Sequence, residues 1–532
     1  MKQKLAPGPA DRDLRRLRVR VRVLLGLAVL LLGTGLVNAF GHVWLPNNDR
    51  GYLHLVAAGF CLYLFIECRR HVLRSDNFGL LAPPLLASIM FGFLSFILPV
   101  TASLHDAEII TRFDPLFFEP DERISEALLL VCFAIFCMWR GYDWSLPFAR
   151  RVAVRVKHTS FLREAWTPRM LPLLVLQAIY VAAAIVRIDL GVFGIASSTE
   201  AMERNLHLLD LLSLGMSGGS LSLLLLLVAY FRRMGNRQPA YGLGVLCAVL
   251  ITIHVGFGVL SGFKSQMVAP FIMLVIAHFL GMGRVSVVFA ATAVTALLAA
   301  YLVIEPYRAY LGLEDLKGEA DVGTLAGAVQ YSTRERASLS SSSDPLTTQI
   351  AARFDLTLMT ALGTQAADDG SVDDYLIRQM EESIYRAPAL AFIPRFIWPT
   401  KGSYSTGVWF NQIVLGNQWN QSTSVGMGPV AYLYFLGGLF AVVAGFLIIG
   451  FLQAILFAGI ARVGAGGVII YLATMSTLVM LPGDVGPALT GMLRIIAIAF
   501  IGQLVLLTPG ARSAHPASAP ARPAAAPGRS LK

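Results

Sequence analysis

Arg187, Lys264, Arg308, Arg395 and Lys401 stand where apolar stretches of this chain meet polar ones, on one side of what reads as a membrane, and Arg494 stands inside the last apolar stretch. Guanidinium groups grip paired phosphate oxygens through two parallel hydrogen bonds. Cations gathered at one depth would therefore suit the pyrophosphate of a lipid-linked substrate. Long basic side chains at span ends also snorkel to headgroups, and for each of these residues except Arg494 that is the competing reading. Arg494 lies roughly two helical turns inside its span, where insertion scales put an Arg near the centre at a cost of about 2.5 to 3.5 kcal/mol, so it needs a partner or a wet cavity. Asp484, just before the span, is one candidate partner.

A transfer reaction would also need a base to activate an acceptor hydroxyl. Asp355, in the stretch AARFDLT, is the first candidate. The neighbouring Arg353 would hold it ionised, although a local ion pair on a helix gives the same pattern. Trp398, Tyr404 and Trp409, with Phe410 and Trp419, could stack on sugar rings or could form an interfacial aromatic belt. His254, within a span, reads as a packed and hydrogen-bonded helix residue rather than a ligand.

A membrane domain must hold these residues. The chain is 56% hydrophobic and 14% charged. Its mean hydropathy is +0.64, the composition of an integral membrane protein. About twelve apolar stretches approach or exceed the ~17 to 25 residues that cross a bilayer. They are predicted near Val23 to Leu45, Tyr52 to Ile66, Gly79 to Leu104, Ser125 to Trp139, Met170 to Leu190, Leu206 to Phe231, Tyr241 to Ser261, Gln266 to Gly281, Val285 to Ile304, Pro429 to Ile460, Gly464 to Leu481 and Pro487 to Leu507. The predicted class is an all-α polytopic bundle. Residues 1–22 form a basic cytoplasmic N-terminus, 23–304 and 429–508 the membrane domain, 305–428 a large polar run, and 509–532 a Pro/Ala-rich tail expected to be disordered, like the Ser-rich stretch Ser338 to Ser343.

Lys and Arg resist translocation, so basic loops mark the cytoplasmic side. Arg12 to Arg22 precede the first span, Arg69, Arg70 and Arg74 follow the second, Arg150, Arg151, Arg155 and Lys157 the fourth, and Arg232, Arg233 and Arg237 the sixth. This alternation puts both termini inside and the run from Glu305 to Gly428 outside. Within the run, Val372 to Tyr385 has helical apolar spacing, which predicts a small helical cap over the membrane domain. The net charge of +10 lies in the inner loops, where anionic lipid accounts for it, so nucleic acid is rejected as a partner. No Walker loop, GxGxxG, zinc-spaced His/Cys cluster or Gly-x-Ser-x-Gly elbow occurs, which disfavours ATP, metal-dependent and lipase-like chemistry.

The layout, many spans with one large outer loop late in the chain, resembles the bacterial O-antigen and exopolysaccharide repeat-unit polymerases, the Wzy-like family. The segments SGFKSQMVAPFIMLVIAHFLG, IPRFIWPTKGSYSTG and STSVGMGPVAYLYFLGG add to the resemblance. It implies a helical membrane glycosyltransferase, GT-C-like, in the bacterial inner membrane. Such an enzyme joins polyprenyl-pyrophosphate-linked oligosaccharides on the outer side with no metal or other cofactor, and a chain-length regulator and a flippase are further implied partners. In such enzymes outer-loop cations handle the pyrophosphate, which carries over to Lys264 in the matching turn and Arg395 in the matching loop; Arg308 and Arg353 join them by position. Relatives carry an acidic residue before the span that begins here near Met427 to Tyr432, where this chain has Gly428 and Pro429. An O-antigen-type ligase would need the same pocket. A transporter would show internal repeats and broken, charged midplane helices; the sequence shows no repeat, and its embedded charge reduces to Arg494.

Overall fold

The computed structural model describes residues 9–44, 51–105, 120–158, 166–194, 199–283, 286–313, 355–370, 374–393, 406–416, 425–481 and 483–509, together with 197, 323–324, 326–327, 330–331 and 398. Among them, ten helices are long and apolar enough to cross a membrane, and the protein is an almost entirely helical, multi-pass membrane protein. The two other expected spans fall on shorter apolar helical segments, Val288–Leu297 and Gly466–Met480.

The chain opens with α1 (Pro9–Leu27) and α2 (Gly33–Trp44), joined by a π-helical turn, then α3 (Gly51–Arg74). The third span is composite: α4 (Pro83–Ala87), a π-helix over Ser88–Ile97, and α5 (Leu98–His105). In α6 (Pro120–His158) the N–H that proline lacks would have been unpaired anyway, and Asp121 and Glu122 complement the positive end of the helix. There follow α7 (Met170–Asp189), α8 (Leu206–Gly235), α9 (Tyr241–Leu260), α10 (Lys264–Met282) and α11 (Val287–Leu313). The polar run contributes α12 (Thr357–Asp368), α13 (Asp374–Tyr385), α14 (Ala387–Phe392) and α15 (Thr406–Trp409). The chain ends in α16 (Gly428–Ala454), continued by a π-helix to Ala461, α17 (Ala465–Met480) and α18 (Val485–Leu506). A short antiparallel pair, Trp166–Pro168 with Leu507–Pro509, ties the end of α18 to the start of α7.

Two cores hold the bundle. One joins α3, the third span, α6, α12 and α16; the other is built around α8, where Leu223 to Val228 are all buried, so the helix is enclosed on every side over that stretch. Lipid offers no hydrophobic drive between helices, and close backbone approach through small residues substitutes for it. At the α6–α16 contact a β-carbon on Gly450 would stand 2.1 Å from the Met138 carbonyl oxygen, and one on Gly141 2.3 Å from that of Leu447.

The basic clusters meet at one end of the bundle. There Arg20 donates to the Ser75 carbonyl, Arg462 pairs with Asp76 at 2.7 Å, and Arg70 pairs with Asp143 at 2.9 Å. The same end corrects the expectation that Arg494 is the sole embedded charge. Glu67, 7% exposed, pairs with Arg70 at 3.2 Å and with Arg140. Both carboxylate and guanidinium lie one residue past the predicted spans, but α3 and α6 run on well beyond them and carry the pair inside the bundle.

Candidate functional site

The polar run does not simply lie over the membrane helices; its described helices reach into them at two points. Ser95 is near the middle of the third span, ten residues, or roughly 15 Å, before its end at His105. In an α-helix its carbonyl would accept the N–H of residue 99, but residue 99 is proline and has none. The Leu356 N–H occupies the Ser95 oxygen at 3.0 Å, and the Thr357 hydroxyl donates to the Phe96 carbonyl at 3.3 Å. From this anchor α12 runs buried against α6 and α16. A β-carbon on Gly363 would meet that of Ala431 at 2.8 Å, and the Thr360 hydroxyl donates to the Met427 carbonyl at 3.2 Å.

Asp355 therefore lies at mid-span, 7% exposed, immediately before α12. Its Oδ1 accepts the N–H of Thr357 at 2.8 Å and of Leu358 at 3.2 Å, so from one residue before Leu356 it caps the first donors of the helix. The cap satisfies donors at a buried site. Arg353, its expected neighbour, lies outside the described residues, as do Arg395, Lys401 and Tyr404. Trp398 is half-buried, and Trp409 packs edge-on against Phe435 at 5.7 Å.

The second entry point is Arg494, nine residues into α18 and twelve from its end. Its Nε donates to the Ala391 carbonyl at 3.3 Å and its Nη2 to that of Leu390 at 3.4 Å. The proposed pairing with Asp484 is corrected. Ten residues along one helix separate the two by about 15 Å, beyond the combined reach of their side chains. Upstream, Ser383 of α13 presses on Gly486, where a β-carbon would stand 1.8 Å from the serine oxygen, and Tyr432 lies 3.3 Å from the same hydroxyl. Between the two entry points α16 breaks at Gly437 and Gly438, the latter at φ 58 and ψ −150. A β-carbon on Gly445 would meet Leu433 at 2.6 Å, so the first nine residues fold back toward the rest of the helix.

The remaining expected cations form a separate group. Arg187, half-buried in the last turn of α7, donates to the Val192 carbonyl at 3.4 Å and contacts the Met216 sulfur at 3.4 Å. Beyond it Gly194, at φ 67, touches the α9–α10 turn so closely that a β-carbon would stand 2.0 Å from the Ser261 oxygen. Lys264 opens α10 directly after that turn. Tyr307 of α11 is buried against Phe193 and Ala184, and its hydroxyl donates to Leu260 at 3.3 Å. Arg308 is the next residue, because α11 continues to Leu313 past the predicted end at Ile304. Arg187, Lys264 and Arg308 are thus carried by elements that meet in one cluster, whereas Asp355 and Arg494 stand where the inserted helices α12 and α14 meet the membrane spans. His254 accords with its packed reading: it bonds Gln177 at 3.0 Å and stacks on Tyr180 at 3.9 Å.

Sequence reasoning missed Glu67, Arg140 and the Ser95 anchor. The signals were present in Pro99, four residues after Ser95, and in the charges just past two predicted span ends. Neither a family model, nor a curated protein, nor a solved structure matches the chain.

Proposed function

We propose that the protein is a polysaccharide repeat-unit polymerase of the bacterial inner membrane, transferring a growing glycan from its polyprenyl pyrophosphate to the hydroxyl of an incoming lipid-linked repeat unit on the outer side. In this reading the helices α11 and α17 complete a set of twelve spans, both termini are cytoplasmic, and the cations do the work of a metal. The observation that carries it is the meeting of the Arg187, Lys264 and Arg308 elements around the α9–α10 turn. Lys264 adds a positive charge to the positive end of α10, an arrangement that costs stability unless an anion is held there. A pyrophosphate leaving group supplies that anion, and cations aimed at its developing charge stabilise the transition state more than the ground state. Asp355 is the proposed base, with Arg395, Arg353 and Lys401 completing the cation set and Trp398, Tyr404 and Trp409 facing sugars.

The test is reconstitution with polyprenyl-pyrophosphate oligosaccharide and no nucleotide. A ladder of product lengths is expected, and Lys264→Ala should lower its rate by about a hundredfold or more. Single transfer to an added lipid acceptor would instead identify a ligase. A transporter is a second reading because α16 is discontinuous at Gly437 and Gly438, as transporter helices are around a bound substrate. Movement of labelled glycan across vesicles with no covalent product would establish it and overturn the polymerase.

A further inference from the structure

We infer that Arg494 is a positioning residue, which anchors the inserted helix α14 in the middle of α18, and is not itself a substrate-binding cation. The inference rests on the proposed function only for its consequence in turnover; the anchoring stands on geometry alone. α14 is six residues long, and like every helix it leaves its last carbonyls without intrahelical donors. The Ile393 N–H reaches back to the Ala389 carbonyl, and the next two carbonyls are those of Leu390 and Ala391. Those are the two that the Arg494 guanidinium takes.

The match is reciprocal. A guanidinium in mid-span needs acceptors, and carbonyls ending a helix among membrane helices need donors. The carbonyl end is also the negative end of α14, so the cation gains from its dipole as well. Ser383 pressed against Gly486 and Leu390–Ala391 held by Arg494 fix α13 and α14 along the first turns of α18 in matching order. Arg395 and Trp398 follow α14 in the sequence within six residues of Phe392. With Nε and Nη2 turned to protein carbonyls, the role of the guanidinium in the reaction is to set where that stretch begins.

The test compares Arg494→Met, which keeps apolar bulk without donors, and Arg494→Lys, which keeps a cation able to reach one carbonyl, with the parent protein in lipid nanodiscs. Amide hydrogen exchange at Leu390 and Ile393 should quicken roughly tenfold in the Met variant and recover in part with Lys. Exchange at Leu250 in α9 should stay unchanged, which shows that the bundle is folded. In the ladder assay the Met variant should lose turnover with little change in the half-saturating lipid-linked substrate. Unchanged exchange at Leu390 and Ile393 in the Met variant would overturn the inference. So would a large rise in half-saturation with exchange unaltered, since that is the mark of a substrate contact. Failure of the polymerase reading would appear as no ladder from the parent protein and would leave the exchange result standing.

Discussion

Replacing Asp355 by Asn separates two roles that replacement by Ala would merge. The structure gives the carboxylate a cap's work: one oxygen holds the N–H groups of Thr357 and Leu358 at 2.8 and 3.2 Å at a site 7% exposed. Asn offers the same acceptor and ranks with Asp as a cap, so Asp355→Asn should alter stability by less than about 0.5 kcal/mol. Asp355→Ala removes the acceptor and strands two donors at a buried site, which places its cost near the top of the capping range, about 2 kcal/mol. The chemical role scales differently. Loss of a general base lowers turnover by about 10² to 10⁴, and Asn cannot take a proton. Thermal unfolding by tryptophan fluorescence and the rate of ladder formation, measured on the same proteoliposomes, read the two effects apart. The expected pattern is a folded but inactive Asn variant and a destabilised Ala variant. An Asn variant that polymerises at more than about a tenth of the normal rate refutes the base and leaves a structural cap. An Ala variant that unfolds with the parent refutes the cap.

Three further substitutions probe the frame. Gly450→Val drives a side chain against the Met138 carbonyl, 2.1 Å from where its β-carbon would stand, and should part α6 from α16 at a cost of about 3 kcal/mol or more, seen as lost monodisperse protein after extraction. Glu67→Ala leaves Arg140 and Arg70 without their shared carboxylate; with those side chains 22% and 33% exposed, the buried-pair figure is discounted to about 2 kcal/mol, readable as a lower midpoint in denaturant. Gly438→Ala puts a β-carbon into a backbone region open essentially to glycine and should cost about 1 to 3 kcal/mol, with protease cleavage near residue 438 reporting the disturbed break.

The membrane class, the helical content and most span positions were legible because hydropathy is a property of windows, and windows of apolar residues are what a bilayer selects. Span ends were less so. Glu67 and Arg140 looked like boundary residues since each follows an apolar run, yet hydrogen bonding carries α3 on to Arg74 and α6 to His158, where the two charges neutralise each other. The insertion of the polar run was not legible at all. α12 is rich in Thr and Ala and too short to read as a span, and its burial depends on Ser95, Gly363 and Met427, residues far apart in sequence. Arg494 was identified as needing a partner, but the partner is a pair of main-chain carbonyls, and those leave no mark in a pattern of side chains.

The two entry points obey one rule with opposite signs. Inside a membrane domain an unpaired backbone group costs several kcal/mol, so any place where a helix loses a partner becomes a socket for a group of the complementary kind. Pro99 deprives the Ser95 carbonyl of its α-helical donor, and the main chain at Leu356 fills the vacancy with an N–H. At the end of α14, where a helix runs out of its own donors, Arg494 meets the Leu390 and Ala391 carbonyls with a guanidinium. In both cases a polar segment is held at mid-span by satisfying defects and not by apolar burial alone. Such contacts carry geometry that apolar packing does not, since a hydrogen bond has a direction and a hydrophobic face has only an area. Side chains on the inserted segments, Asp355 foremost, are therefore fixed in register with particular turns of the third and last spans, which is the fixity the proposed base would need.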